Sequence, residues 1–241
     1  MKVVYWAIAT LASTLVASGC QSGGSAPRQD VHVPTVHDES AAADPGSNYK
    51  KELDRLAMRG LAYDTGRVQI DAPAAQELVS TPEPALAPGL RERGLAELYR
   101  DNDRHAAIAT LSLAVINDPA SAASYEALGR ALLFKGKLAE SEAAFRTALD
   151  IDPTFAQAGF QLGAMLQMAG RNAEALDQWM SVVRMDPDHG EAHSRLAIEL
   201  YYAGRYGEAW SHVHEAQRLG AVVPPQFLPL LSAQAAEPVR N

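Results

Sequence analysis

The chain has 241 residues, 47% of them hydrophobic and 7% aromatic. This is long enough for one domain of about 190 ordered residues with a buried core. Its 29 acidic and 21 basic residues give a formal charge of −8, which disfavours nucleic acid and anionic lipid as electrostatic partners because both are polyanions. Cys20 is the single cysteine, so an internal disulfide is excluded.

Residues 1–19 have the pattern of an export signal peptide. Met1 and Lys2 precede an apolar run that is shorter than the roughly 20 residues needed to cross a bilayer. The run exits through Ala17-Ser18-Gly19-Cys20, which resembles the lipobox of bacterial lipoproteins. The resemblance implies that Cys20 is lipidated, and Gln21 after it implies sorting to the outer membrane, facing the periplasm. An ordinary cleaved signal or an uncleaved anchor is the alternative.

The segments before the repeats are predicted to be less regular. Residues 20–47 are rich in Gly, Ser, Ala, Pro and Asp, so we expect a flexible tether. Residues 48–87 form an N-terminal extension, in which Tyr49 to Tyr63 carry an apolar stripe at helical spacing that includes Leu61. The stretch from Asp71 to Pro88 contains four prolines, which allow at most one short helix there, around Ala74 to Val79.

A constant period of 34 residues organises the rest of the chain. Pro119, Pro153 and Pro187 are separated by this interval, and each follows an aspartate. Every unit has two apolar stripes at helical spacing, joined by a turn with a residue suited to left-handed backbone: Asn102, Gly136, Gly170 and Gly204. We therefore predict helical hairpins at 88–121, 122–155, 156–189 and 190–223. The first is degenerate, because Leu95 occupies the position of the helix-packing Gly129 and Gly163.

This leucine-glycine, alanine, aromatic and proline pattern resembles the tetratricopeptide repeat family. The resemblance implies an all-α fold, a right-handed α-solenoid of about four repeats, for which a generic helical bundle is the alternative. Terminal repeats need a cap, and we expect residues 224–241 to supply a capping helix and tail, since Phe227, Leu228, Leu230 and Leu231 follow the last unit.

The resemblance also implies that the first helix of each repeat lines a concave groove that binds a protein or peptide partner. Its groove positions correspond here to Glu92, Tyr99, Arg100, Glu126, Arg130, Phe134, Phe160, Gln167, Met168, Ile198, Tyr201 and Tyr202. Met168 and Phe160 are the preferred contacts, whereas the other aromatic residues would equally suit packing between helices. The residues that clamp a C-terminal carboxylate in some members are absent, which disfavours a receptor for chaperone tails.

An enzyme would need a constellation of reactive groups, and the sequence offers a poor one. His189 and His193 have the i, i+4 spacing of a zinc site, but no third ligand is placed, and His189 lies in a turn between repeats. We predict no catalytic residue, metal or cofactor. The favoured hypothesis is a membrane-anchored periplasmic scaffold that supports assembly of an envelope complex, such as pilus, secretion, outer-membrane or cell-wall machinery. A structural subunit acting by self-association and, remotely, a metal-dependent enzyme are the alternatives.

Overall fold

The computed structural model describes residues 58–64 and 66–238. The expected signal peptide, the lipidation site Cys20 and the tether lie outside the described residues, as does most of the helical stripe that begins at Tyr49. No helix in the described part is long and apolar enough to cross a membrane.

Four helical hairpins make up most of the described chain. They are formed by α2 (Ala87–Tyr99) with α3 (Arg104–Asn117), α4 (Ala122–Phe134) with α5 (Leu138–Ile151), α6 (Ala156–Met168) with α7 (Asn172–Met185), and α8 (Gly190–Tyr202) with α9 (Tyr206–Arg218). A short helix, α1 (Ala72–Leu78), and a 3-10 turn (Pro84–Leu86) precede them, and α10 (Phe227–Gln234) follows. Consecutive helices pack on one another through the stack. The expected all-α solenoid of four repeats with a C-terminal capping helix is confirmed.

Left-handed residues end the first helix of each hairpin, as predicted. Gly136, Gly170 and Gly204 have φ of 81°, 76° and 75°, and Asn102 takes their place in the first repeat with φ 53°. The next amide folds back onto the helix end; Lys137 N, for example, donates to Leu132 O at 2.9 Å.

The aspartates of the Asp-Pro pairs shape the turns between hairpins. Each carboxylate accepts the backbone N–H two residues further on, at 3.2 Å from Ala120 to Asp118, 2.9 Å from Thr154 to Asp152 and 3.2 Å from Asp188 to Asp186. The proline between them cannot continue the preceding helix. These two residues therefore account for the sharp stop that recurs at each 34-residue step.

Glycines let the two helices of a hairpin approach closely. A Cβ on Gly129 would lie 2.7 Å from the Phe145 ring, and one on Gly163 would lie 2.7 Å from Cδ1 of Trp179. The first repeat has such a glycine after all: a Cβ on Gly94 would lie 2.5 Å from Cγ of Leu111. The expectation that Leu95 leaves this repeat without a packing glycine is therefore wrong.

The N-terminal extension contains a small β-hairpin instead of a helix at Leu61. Strand β1 (Leu61–Ala62) pairs antiparallel with β2 (Gln69–Ile70). The hairpin packs on α5, where Val68 N donates to Thr147 Oγ1 at 2.9 Å. Arg67 forms an ion pair with Asp150 there. The short helix expected in the proline-rich stretch is present as α1.

The capping helix α10 covers the end of the last hairpin. Its side chains Phe227 and Leu231 are buried, and the carbonyl of Ala235 just beyond it accepts from Trp210 Nε1 at 3.0 Å. Pro229 is accommodated because it lies in the first turn of this helix, where its missing N–H has no partner to lose.

Candidate protein-binding groove

The first helices of the repeats line the inner side of the stack. Helix α2 contacts α4, and α4 contacts α6, whereas the second helices of these repeats have no comparable contact with one another. A stack of hairpins curves toward the side on which its helices approach more closely. Helices α2, α4 and α6 therefore lie on the inner side, and the repeat pattern predicts that the groove continues along α8.

Each of these four helices ends in a large apolar residue. We call Tyr99, Phe134, Met168 and Tyr202 the apolar row, since each is the last residue of its helix. The side chains of Tyr99, Met168 and Tyr202 are 46%, 47% and 72% exposed, and Phe134 is half-buried. The rings of Tyr99 and Phe134 meet edge to face at 5.7 Å, so these two members of the row touch across the first and second repeats.

A polar cluster supports the row between the first two repeats. Arg130 Nε donates to Tyr99 Oη at 2.8 Å, and Arg130 Nη1 pairs with Glu126 at 3.4 Å. Glu126 is 5% exposed; burial raises the pKa of its carboxyl group, and Arg130 opposes that rise. The guanidinium also lies over the Tyr99 ring, 5.1 Å from its centre. Arg130 is thus held in one orientation by two partners.

A second polar pair links the third and fourth repeats. Gln167 Nε2 donates to the buried carboxylate of Glu199, and burial raises the pKa of that carboxyl group. One turn earlier on α8, burial lowers the pKa of Arg195, which forms no ion pair or hydrogen bond among the described residues. Sequence reasoning missed Glu199 and Arg195. The sequence did contain a signal for Glu199. The equivalent positions of the two preceding repeats hold the apolar residues Ala131 and Met165, so a carboxylate at this position departs from the repeat pattern.

Phe160 is buried rather than exposed, contrary to expectation. Its side chain is 3% exposed, and its ring packs on His189 at 4.8 Å between centres. Its carbonyl accepts from Trp179 Nε1 at 3.1 Å, so the backbone is fixed as well. Phe160 therefore supports the wall of the groove, whereas Met168 presents the exposed surface that was expected of both.

The remaining predicted groove residues are spread between surface and interior. Glu92 and Arg100 are exposed, and Ile198 and Tyr201 are half-buried. Tyr201 contacts the rings of Tyr202, Tyr206 and Phe227 at 5.3 to 5.7 Å and so joins α8 to α9 and α10. Their role in binding stays a prediction.

The first repeat is offset by one residue, which changes its groove contacts. Its turn contains an extra residue: Asp103 N donates to Glu97 O, six positions back, whereas Lys137 N donates to Leu132 O, five positions back. Helix α2 therefore ends at Tyr99 rather than at Arg100. Tyr99 is consequently the counterpart of Phe134, and Arg100 lies outside the helix.

The two histidines proposed as zinc ligands have different partners. His189 caps α8 by accepting from Ala192 N at 3.2 Å, whereas His193 Nδ1 lies 2.8 Å from Nδ1 of His212. Within the described residues, no group of three His, Cys, Asp or Glu side chains is arranged to hold a metal ion. The described part of the chain thus supplies no ligand set for the metal-dependent alternative.

Comparison with known proteins agrees with this architecture. Residues 93–154 match the model of a tetratricopeptide repeat family. Solved structures of similar fold include MamA, at 20% identity and TM-score 0.51 over 61% of this chain and 85% of that one. The fold is a tetratricopeptide repeat solenoid.

Two further tetratricopeptide-fold neighbours cover a similar share of this chain. PilF of Pseudomonas aeruginosa has 20% identity and TM-score 0.52 over 62% of this chain and 66% of that one. A tetratricopeptide repeat protein from Parabacteroides merdae has 18% identity and TM-score 0.54 over 61% of this chain and 59% of that one. The match thus spans about two thirds or less of these two chains. No curated protein matches the sequence at a significant level.

Proposed function

We propose that this protein is a scaffold that binds a segment of a partner protein along α2, α4, α6 and α8. The observation that carries the proposal is the apolar row, in which every first helix of the solenoid ends in a large apolar side chain. Three of the four side chains are substantially exposed, and exposed apolar surface that follows a regular array is typical of protein recognition sites.

The spacing of the row indicates how a partner engages it. Packed helices lie about 8 to 10 Å apart, and an extended peptide advances about 3.3 Å per residue. A segment in the polyproline II conformation, with three residues per turn and a rise of about 3.1 Å per residue, would therefore present every third side chain to one member of the row. A partner helix would match it with residues seven apart, because seven residues rise about 10.5 Å.

The polar groups beside the row would set the position of the partner along the groove. Arg130 is held by Glu126 and Tyr99, and Gln167 is held by Glu199, so both polar ends have little freedom left to lose on binding. Donors that are already oriented cost less conformational entropy when they bind. The apolar row would supply contact area, and Arg130 and Gln167 would supply specificity.

We further propose that the scaffold is lipid-anchored through Cys20 in the outer membrane, faces the periplasm and supports assembly of an envelope complex. The support is the sequence of residues 1–20, with its charged start, apolar middle and lone cysteine after Ala17-Ser18-Gly19. Cys20→Ser should move the protein from the membrane fraction to the soluble periplasmic fraction. Membrane retention of this variant would contradict a lipid anchor.

Site-specific photocrosslinking tests the groove directly. A photoreactive amino acid in place of Met168 should capture a partner protein in intact cells, whereas the same group in place of Ile151 should not. Ile151 is the matched control because it is 37% exposed but belongs to a second helix. Capture that disappears when Phe134→Ala and Tyr202→Ala are added supports the groove. Equal capture from both positions would contradict it, and capture of a second copy of this chain would favour self-association instead.

A further inference from the structure

Two histidines meet inside the fourth repeat. His193 on α8 and His212 on α9 have their Nδ1 atoms 2.8 Å apart, with ring centres at 5.0 Å. On the other side of the ring, His193 Nε2 lies 3.0 Å from the carbonyl oxygen of Pro187 in the turn before α8. His193 is 7% exposed, so water does not readily replace either contact. The pair joins α8, α9 and the preceding turn.

The hydrogen bonds fix where the protons lie. A carbonyl oxygen only accepts, so His193 Nε2 carries a hydrogen and donates to Pro187. In neutral His193 the Nδ1 atom then has a lone pair, and Nδ1 of His212 must carry the hydrogen that lies between the rings. One proton is therefore shared by the two facing nitrogens.

We propose that this histidine pair makes the fourth repeat acid-sensitive: protonation of both rings breaks the hydrogen bond between them and loosens α8 and α9 while the earlier repeats stay folded. Two N–H groups would then point at each other across 2.8 Å, with two positive charges in contact. With only one ring protonated, that ring still donates to the lone pair of the other, so the contact survives the first added proton. The response is local because each repeat of a solenoid contacts only its neighbours. This inference does not depend on the proposed partner-binding function.

The charged groups around the pair do not supply an alternative partner for the extra proton. On α9, Glu208 is paired with Arg205 at 2.6 Å, and Glu215 is paired with Arg218 at 2.7 Å. In the turn before α8, Asp188 accepts from the same Arg218 at 3.3 Å. Each of these carboxylates is engaged with an arginine. Glu208 and Glu215 still favour protonation of His212, but burial and His193 outweigh them, and Arg205 opposes protonation as well.

The direction of the pH effect follows from His212. Burial, assisted by His193, lowers the pKa of His212 to about 4, whereas an unfolded histidine titrates near 6.5. Between these values the opened state binds more protons than the folded state, so stability falls as the pH drops through this window. The opening equilibrium of the repeat should therefore rise by up to about tenfold per pH unit below about 6.

Hydrogen exchange of the full chain tests the proposal. Amide protection should be compared at pH 7.5 and 5.5 in peptides from α8 and α9 and in peptides from α4 and α5, after correction for the intrinsic exchange rate. We expect protection of α8 and α9 to fall at least about fivefold more than that of α4 and α5, since about one pH unit of the window is crossed. An equal loss in all repeats would overturn the proposal.

Two asparagine variants separate the pair from other histidines. His212→Asn places an amide near the former Nδ1 that can donate or accept but cannot titrate, so the excess acid sensitivity of α8 and α9 should disappear. His214→Asn, two residues further on, should retain it, because His214 contacts Glu237 and not the pair. Excess sensitivity that persists in His212→Asn would overturn the proposal.

Nitrogen-15 NMR of the unsubstituted protein provides a readout that needs no variant. At pH 7.5, His193 should carry its hydrogen on Nε2 and His212 should carry its hydrogen on Nδ1. Two Nε2–H rings at this pH would overturn the proposal. The exchange profile should also be unchanged by EDTA; loss of the pH response on chelation would mean that a metal ion, and not a proton, joins the rings.

Discussion

At Gly129 the backbone of α4 lies directly against the buried ring of Phe145. A Cβ at this position would come 2.7 Å from Cε1 and 2.8 Å from Cδ1 of that ring. The ring cannot move aside easily because Phe145 is fully buried in the core. The absence of a side chain at residue 129 is therefore a requirement of packing between the two helices of a hairpin.

Gly129→Ala should consequently destabilise the protein by about 1 to 3 kcal/mol, because the added methyl forces two packed helices apart. Gly207→Ala is the matched control: it is also helical, but a Cβ there meets nothing within 4 Å. That variant should be unchanged or up to about 1 kcal/mol more stable, since alanine favours the helix. Urea unfolding followed by circular dichroism measures both, and equal effects would contradict the packing argument.

Leu128 and Met168 separate the interior from the groove surface. Leu128 is fully buried, so Leu128→Ala should cost about 2 to 5 kcal/mol through the cavity that it leaves. Met168 is 47% exposed, and Met168→Ala should change the free energy of unfolding by less than about 0.5 kcal/mol. Thermal unfolding measures the stability of both variants. Similar losses of stability would mean that the buried and the exposed positions are misassigned.

Local backbone requirements could be predicted from single residues, whereas side-chain partners could not. Asn102, Gly136 and their equivalents were identified because few residue types favour a left-handed backbone. The packing glycine of the first repeat was missed because Gly94 lies one position before the periodic site. The contact between His193 and His212 was missed because it depends on how α8 faces α9, which residue spacing within either helix does not specify.

Among the elements, the β-hairpin of β1 and β2 joins the N-terminal extension to the second repeat. Besides the contacts of Arg67 and Val68 with α5, Lys137 Nζ lies 3.0 Å from Sδ of Met58. Leu61 and Val68 are buried and belong to the same core cluster as α3, α4 and α5. The hairpin therefore adds to the repeat array at α5, a second helix of the stack.

Thr147→Val should weaken this attachment. The substitution keeps the shape of the side chain but removes the oxygen that accepts from Val68 N at 2.9 Å, and leaving that donor unpaired should cost about 1 to 2 kcal/mol. Thr154→Val is the control, because the Thr154 hydroxyl bonds to Asp152 in an exposed turn. Chemical denaturation should show a change of under about 0.5 kcal/mol for the control. A comparable loss in both would mean that the hairpin contact contributes little.

The helices that follow the 34-residue period and the short helices α1 and α10 outside it were predicted, whereas the β-hairpin was not. The hairpin contacts α5 across 79 to 83 residues of sequence, and its strands have two residues each. Such strands carry no alternation that could reveal them, and the apolar residues around Leu61 fit a helical spacing equally well. The residues that bind the β-hairpin, Thr147 and Asp150, lie in the second repeat, and the sequence pattern of that repeat gives no sign of an added strand.

On the scale of the whole solenoid, the buried apolar residues divide into two clusters. One is built from the N-terminal hairpin, α1 and the first two repeats, with Ala158 contributed by the third repeat, and contains Leu111 and Leu128. The other is built from the last two repeats and α10 and contains Leu200 and Leu231, with Phe145 contributed by the second repeat. Stabilising contacts are thus local, as expected for stacked repeats.

Leu128→Ala and Leu200→Ala should therefore act independently. Because they lie in different clusters, their costs should add, with a coupling energy under about 0.5 kcal/mol in a double-mutant cycle. Gly129→Ala combined with Phe145→Leu is the coupled control, since the smaller side chain relieves the contact of the added methyl. Coupling above about 1 kcal/mol between Leu128 and Leu200 would contradict the separation of the clusters.

The capping helix α10 also limits how long a bound segment the molecule can accommodate. Helix α10 packs on α9 at the position where a fifth repeat would begin. Its residue Phe227 lies against Tyr201 near the end of α8, the first helix of the fourth repeat. Four first helices spaced by about 10 Å offer a track of about 30 Å, which an extended chain covers in about nine residues. A bound peptide longer than this should leave its ends free, so trimming it to that length should cost no affinity.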